Sequence, residues 1–196
     1  MLVKDVMSQE PVTVTADTRV KAALTLLAQN AVTVLPVLNR SGRLCGVVSE
    51  ADLIRDRVAS DPRAHEIPLE EEWHDHPSTV REVMTPHAIT VRPDTELAVA
   101  VDLLTCTTVK SVPVVDHQDH VVGMLSRSDV VRMLSRSDAD LEQAVDALLA
   151  SVGLVDWVAE VTEGTVALSG PEGSSQHALA RLVASTVPGV VDVHVA

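Results

Sequence analysis

Ser126, Arg127 and Asp129, in the stretch Gly123-Met-Leu-Ser-Arg-Ser-Asp-Val130, are the residues whose types and spacing could do binding chemistry. A hydroxyl and a guanidinium suit a phosphate, and a carboxylate can accept from two vicinal hydroxyls; together they describe a sugar phosphate. The apolar residues Val121, Val122, Met124 and Leu125 read as a buried strand that turns into a helix at Ser126. Such a junction aims free backbone N–H groups and the positive end of the helix dipole at one spot, a setting for an anion. The same residues also admit a purely local role, with Ser126 as N-cap and Asp129 in the first turn as an ordinary capping pair.

The pattern occurs twice. Gly46-Val-Val-Ser-Glu-Ala-Asp-Leu53 precedes it by 77 residues. That offset holds without a gap through Val3/Val80, Met7/Met84, Thr13/Thr90, Asp17/Asp94, Leu27/Leu104, Pro36/Pro113, Ser49/Ser126, Asp52/Asp129 and Arg55/Arg132. An internal repeat implies two similar units packed face to face, because neither buries its apolar side alone.

Each unit reads β-α-β-β-α. Val12–Val14 and Ile89–Val91 are predicted strands, and Asp17-Thr18 and Asp94-Thr95 predicted helix starts. Val20, Ala23, Leu24 and Leu27, or Leu97, Ala100, Val101 and Leu104, form one helical stripe. A strand, Val34–Leu38 or Ser111–Val115, passes through a polar turn, Asn39–Gly42 or Asp116–Asp119. The next strand ends at the Gly-x-x-Ser-x-x-Asp corner, and a helix closes the unit.

These motifs, with Asp5-Val-Met7 and Glu82-Val-Met84 and the Leu35-Pro-Val37 and Val112-Pro-Val114 strands, resemble the CBS domain family in its tandem-pair form. The resemblance covers roughly residues 1–136. It implies an α+β fold with two βαββα repeats as a pseudo-twofold pair: residues 1–57 and 80–136, joined by an acidic connector at 58–79. It further implies a non-catalytic regulatory module that takes an adenosyl ligand in the cleft between repeats, AMP, ADP or ATP foremost, with no required cofactor. Such pairs dimerise through their helices, so a homodimer is expected.

Carried over residue by residue, the resemblance places ribose on Asp52 and Asp129, and phosphates near the hydroxyls of Ser49 and Ser126. Adenine is placed against Thr13 or Thr90 and the strand bearing Pro36 or Pro113. Serine stands at 49 and 126 where threonine is usual, and Val34 where a small or polar residue is common; Ser111 fits that pattern. The corners differ in charge. Arg127 and Lys110 attend Asp129, whereas Glu50 and Thr33 are their counterparts beside Asp52. A phosphate gains charge-assisted bonds at the first and meets like charge at the second. The expected stronger site is therefore Thr90, Lys110, Ser111, Pro113, Ser126, Arg127 and Asp129. The weaker is Thr13, Val34, Pro36, Ser49 and Asp52. Glu50 and Val34 keep a rival open, a ligand-free interaction module with degenerate sites.

Composition narrows the classes. With no Phe or Tyr and two Trp, the core must be aliphatic. Cys45 and Cys106 occupy non-equivalent repeat positions and read as buried thiols. No signal peptide or apolar run of membrane-spanning length is legible, which makes the cytoplasm the default expectation. No nucleophile–base pair or phosphoryl-transfer set is legible either, so no enzyme is expected. The connector holds Pro62, Pro68, Pro77, Glu70–Glu72 and Trp73-His-Asp-His76. A metal set of His65, Glu72, His74, Asp75 and His76 is conceivable there, but prolines oppose the strand that would align i and i+2, and a solvated linker is the preferred reading.

Residues 138–196 carry a net charge of −8, with Arg181 as the sole cation. Their predicted order is α-β-β-α-β. A helix bears Leu141, Val145, Leu148 and Leu149; strands span Leu154–Val161 and Thr165–Leu168 around Glu163-Gly164. A helix from about 175 to 187 turns Leu179, Leu182 and Val183 inward, and Val190–Val195 is the last strand. Val161-x-x-Gly164-x-Val166-x-Leu168-x-Gly170 and Gly189-Val190-x-x-Val193 resemble the BON domain, a family associated with phospholipid or envelope surfaces. The charge repels anionic lipid and nucleic acid, so a protein-contact or dimer-supporting role is expected and membrane contact is not. On this reading Asp129→Ala weakens adenine-nucleotide affinity tenfold or more in calorimetry and leaves the fold intact.

Overall fold

The computed structural model describes residues 1–55, 57, 76–171 and 176–195. They form two compact units, one from Ser8–Pro93 and Thr108–Met124, the other from Met1–Met7, Asp94–Thr107 and Leu125–Ala196. The connector residues of the conceivable metal set, His76 apart, lie outside the described residues, as does Trp73. No described helix is long and apolar enough to cross a membrane.

The first unit is built on a four-stranded sheet, β2 (Val14–Thr15), β3 (Val34–Leu38), β4 (Leu44–Ser49) and β5 (Thr85–Pro86), in that order. Helices α1 (Val20–Asn30) and α2 (Glu50–Ile54) pack on it. The expected turn is present. Asn39 Oδ1 accepts from the N–H groups of Ser41 and Arg43, and Gly42 takes φ 75°, the left-handed region that glycine enters freely. Val20, Ala23 and Leu27 bury the predicted stripe against Leu35, Val37, Val48 and Leu53.

Helix α1 begins at Val20 rather than at Asp17, because the Thr18 hydroxyl is used on the Thr15 N–H; α3 (Leu97–Cys106) likewise starts after Asp94-Thr95. The predicted strand at Val12–Val14 is displaced to Val14–Thr15, and that at Ile89–Val91 shrinks to one bridge from Val91 to Val114.

The repeats share structure in a way that no local sequence pattern marks. β5 belongs by sequence to the second repeat, yet pairs antiparallel with β4 of the first, Gly46 with Pro86 and Val47 with Thr85. The 3-10 turn before it, Val80–Glu82, docks on the first repeat: Val80 N–H donates to Thr18 O and Arg81 N–H to Ala16 O, while Val80 is fully buried in that core. Arg81 also reaches Asp17 at 2.7 Å, and its guanidinium holds the Asp17 carboxyl below the usual range. The exchange is reciprocal. β1 (Ser8–Gln9) pairs with Met124 and Gly123 of β7 (Val121–Ser126) in a sheet ordered β1-β7-β6, β6 being Ser111–Val115. Val3, in the turn Val3–Asp5, donates its N–H to Thr95 O. Glu10 and His87, equivalent in the repeat, both take left-handed φ, 51° and 54°, just after these short strands.

The second unit holds α3, α4 (Arg127–Leu134) and the C-terminal α-β-β-α-β element: α5 (Asp138–Ser151), β8 (Val158–Thr162), β9 (Thr165–Ser169), α6 (His177–Ser185) and β10 (Asp192–Val195). The Ser137 hydroxyl accepts from Asp140 N–H and opens α5, whose Leu141, Val145 and Leu149 are buried one turn apart. Glu163 and Gly164, at φ 49° and 74°, make the two-residue turn that the right-handed twist of a hairpin favours. β10 returns parallel to β9 after the α6 crossover, giving the order β10-β9-β8.

Here too some expectations shift. β8 begins at Val158, since Leu154 and Trp157 are buried through a turn rather than along a strand. On α6 it is Ala180 and Ala184 that face the core, with Val183 beside them; Leu179 and Leu182 are exposed. Small residues win that face because α6 packs close against α5 and β10. Cys106, expected to be buried, is exposed at the end of α3, while Cys45 is half-buried and donates to Val37 O.

A side chain at Gly46 would place its Cβ 2.5 Å from the backbone oxygen of Thr85. Gly46→Ala is therefore expected to lower stability by about 1–3 kcal/mol, read as a lower urea midpoint. An unchanged midpoint would mean β5 does not hold its place against β4.

Candidate functional site

Both Gly-x-x-Ser-x-x-Asp corners fold as the capping pair that local chemistry allows. In the first, Asp52 Oδ2 accepts from Ser49 N–H at 2.9 Å and from its hydroxyl at 2.6 Å, and Asp52 N–H donates back to Ser49 Oγ. The second repeats it, Asp129 Oδ2 accepting at 2.8 and 2.6 Å from Ser126. Each box fixes its aspartate by one oxygen and leaves the other to its surroundings.

Those surroundings differ. Asp129 is only 6 % exposed, and its Oδ1 accepts from Arg132 at 3.0 Å. The pair is one helical turn apart, and α4 continues to Leu134, so Arg132 is held in reach. Its counterpart Arg55 is the C-cap of α2, with extended ψ of 131°, because that helix stops at Ile54. Asp52 Oδ1 has no hydrogen-bond partner among the described residues.

Asp52 lines a cavity of about 350 Å³. Val34 and Ser49 line it from the first repeat; Thr85, His87, Ala88 and Ile89 enter from the second, carried there by the pairing of β5 with β4. Lys110, Ser111 and Pro113 line it as well. Lys110 Nζ sits 3.1 Å from Glu50 Oε1, an exposed ion pair at the cavity edge. A volume of this size and a few convergent polar groups suit a small molecule.

The structure thus redistributes the expected site residues. Val34, Ser49 and Asp52 line one cavity, and Lys110, Ser111 and Pro113, assigned by sequence to the Asp129 corner, line it too. Glu50 does not stand alone there, since Lys110 offsets its charge. Thr13, Pro36 and Thr90 are not among the lining residues; Pro36 is buried within β3 and Thr90 is exposed. Arg127 has other work. Its Nε donates to Leu104 O at 2.8 Å and an Nη to Thr107 O at 3.0 Å, satisfying carbonyls at the end of α3 that no helix turn can reach. Thr85, His87 and Ile89 were missed because the repeat reads as two separate units. Gly46 was the available signal, a glycine required by close backbone approach.

Comparison with known proteins agrees with this architecture. The CBS domain family model matches residues 3–58 and again 80–136. The chain belongs to the CBS domain family. It is 29% identical over 154 residues to the uncharacterized protein MJ1426 of Methanocaldococcus jannaschii, covering 68% of this chain and 91% of that one. Among solved structures it is similar to CBSX2 in complex with AMP, at 31% identity and TM-score 0.55 over 67% of this chain and 93% of that one; CBSX2 is a chloroplastic protein of Arabidopsis thaliana. It is likewise similar to the CBS domain pair of protein MJ0100 in complex with 5′-methylthioadenosine and S-adenosyl-L-methionine, at 25% identity and TM-score 0.56, over 68% and 94%.

Replacing Arg127 by Met removes two bonds from a charged donor and leaves the α3 carbonyls open. A stability loss of about 1–3 kcal/mol is expected in urea unfolding, and an unchanged midpoint would return the guanidinium to solvent.

Proposed function

We propose that this chain is a non-catalytic regulatory module that binds an adenosine-containing ligand, with Ser49, Asp52 and Lys110 as its main polar contacts. The observation that carries this reading is the cavity beside Asp52, where one carboxylate oxygen is fixed by the capping box and the other has no partner among the described residues. On this reading that oxygen accepts from a ribose hydroxyl. The kinship with CBS pairs solved with AMP and with adenosyl thioethers supports the ligand class. Two carboxylates and one ammonium at the cavity favour a ligand of low negative charge, a monophosphate or a sulfonium, over a triphosphate. Ser126 and Asp129 form a second, weaker corner, reversing the order expected from sequence, because Arg127 and Arg132 are already engaged.

The C-terminal α-β-β-α-β element acts as a BON-like output that contacts a protein partner. Within its own unit the element is held to α4: Arg136 donates to Pro188 O at 2.6 Å, and Gly189 lies so close that a Cβ there would meet Met133 O at 2.9 Å. A shift of α4 would therefore be felt at the Pro188-Gly189 turn. Homodimerisation through CBS helices and a cytoplasmic setting remain part of this proposal.

Calorimetry with AMP, ATP and S-adenosylmethionine tests the reading. Asp52→Ala is expected to weaken the best ligand at least tenfold and Asp129→Ala by less, with AMP or S-adenosylmethionine ahead of ATP. The opposite ranking of the two variants would move the site to Asp129. The rival, a ligand-free interaction module, is favoured by the two carboxylates, Glu50 and Asp52, that line the cavity; it predicts that no member of the panel raises the melting temperature.

A further inference from the structure

Most donors at the Asp52 corner are already engaged within the chain. The Ser49 hydroxyl donates to Asp52 Oδ2 at 2.6 Å and accepts from Asp52 N–H, and Ser49 N–H goes to the same carboxylate oxygen. Glu50 N–H donates to Thr33 O at 2.9 Å. A phosphate needs several donors at once, and these are the ones it would recruit here. What stays open is mostly of the other kind. Asp52 Oδ1, Glu50 Oε2 and two of the three Lys110 N–H donors have no partner among the described residues. Glu50, Asp52 and Lys110 together carry one net negative charge, which does not suit an anion.

We propose, resting on the adenosine reading of this cavity, that the Glu50–Lys110 pair selects a ligand whose 5′ substituent ends in an α-amino acid rather than a phosphate. Lys110 Nζ lies 3.1 Å from Glu50 Oε1 at the cavity edge, so one cation and one anion stand side by side. An amino-acid end carries the same two charges in one group. Its ammonium donates to Glu50 Oε2 and its carboxylate accepts from Lys110. That closes a ring of four alternating charges, and the pair already present need not break. A phosphate gains Lys110 but meets two carboxylates, and a neutral thioether gains neither partner.

Both repeats hold the pair in place. Glu50 is the first residue of α2, behind the Ser49–Asp52 capping box, and Lys110 leads directly into β6, whose Ser111 and Pro113 line the same cavity. The two side chains, 45% and 61% exposed, are open enough to take a ligand group without first being uncovered. The pair is also not duplicated. A shift of 77 residues puts Arg127 in place of Glu50 and Thr33 in place of Lys110, so the Ser126 corner has no counterpart to it.

Calorimetry on the full chain tests this with ligands that share adenosine and differ at the 5′ position. S-adenosylmethionine and S-adenosylhomocysteine carry the amino-acid end, methylthioadenosine lacks it, and AMP replaces it with a phosphate. The first two are expected to bind about tenfold more tightly than either of the others. Glu50→Gln should bring S-adenosylmethionine to within about threefold of methylthioadenosine and at the same time strengthen AMP, opposite signs that a folding defect cannot produce. Lys110→Met should narrow the same ratio and weaken AMP. The proposal is overturned, with the adenosine reading left standing, if methylthioadenosine or AMP binds as tightly as S-adenosylmethionine. It is overturned equally if Glu50→Gln moves S-adenosylmethionine and AMP in the same direction. S-adenosylhomocysteine at the level of methylthioadenosine would assign the preference to the sulfonium and overturn it too. If none of the four binds, this inference and the adenosine reading fall together.

Discussion

The close approach of Thr85–Pro86 to Gly46 is the contact on which the arrangement depends. It lets a strand from the second repeat complete the sheet of the first, and with it come Val80 into the core and Thr85, His87, Ala88 and Ile89 into the cavity. The reciprocal docking of Val3 and of Ser8–Gln9 ties the other end of the chain in the same way. The core of the first repeat therefore includes a residue, Val80, that belongs by sequence to the second. A cavity lined from both repeats follows directly, because the exchanged segment brings its flanking loop with it.

Two corners with the same local chemistry differ in their surroundings. Ser49/Asp52 and Ser126/Asp129 make the same capping box to within about a tenth of an ångström at Oδ2. What separates them is the length of the following helix. α4 persists past Arg132, which neutralises Asp129; α2 ends before Arg55 can do the same for Asp52. Charge counted along the sequence favoured the second corner, but Arg127 and Lys110 are spent on partners that only folding supplies.

The acidity of the C-terminal element has a structural use. Asp138, Glu142 and Asp146 lie on one side of α5 and accept from the β8 edge and its hairpin, so part of the −8 charge is bound to backbone N–H groups rather than facing a partner. That leaves α6 and β10 as the acid-poor side, with its exposed leucines where buried ones were expected. The expectation failed because periodicity marks an apolar stripe without saying which of two adjacent stripes packs; alanines allow the closer helix approach and took the core.

The sequence by itself determined what is local. The repeat with its 77-residue offset, the order of strands and helices, the polar turns at Asn39 and Asp116, the capping pairs and the Glu163-Gly164 hairpin all rest on interactions within a few residues, and types and spacing reveal them. Tertiary structure alone decided the exchange of leading strands, the gathering of Lys110, Ser111 and Pro113 beside Asp52, and the diversion of Arg127 to α3. The reason is physical: a backbone hydrogen bond or a salt bridge between residues dozens of positions apart leaves no periodic trace. A gapless duplication reads the same whether each copy keeps its first strand or lends it to the other.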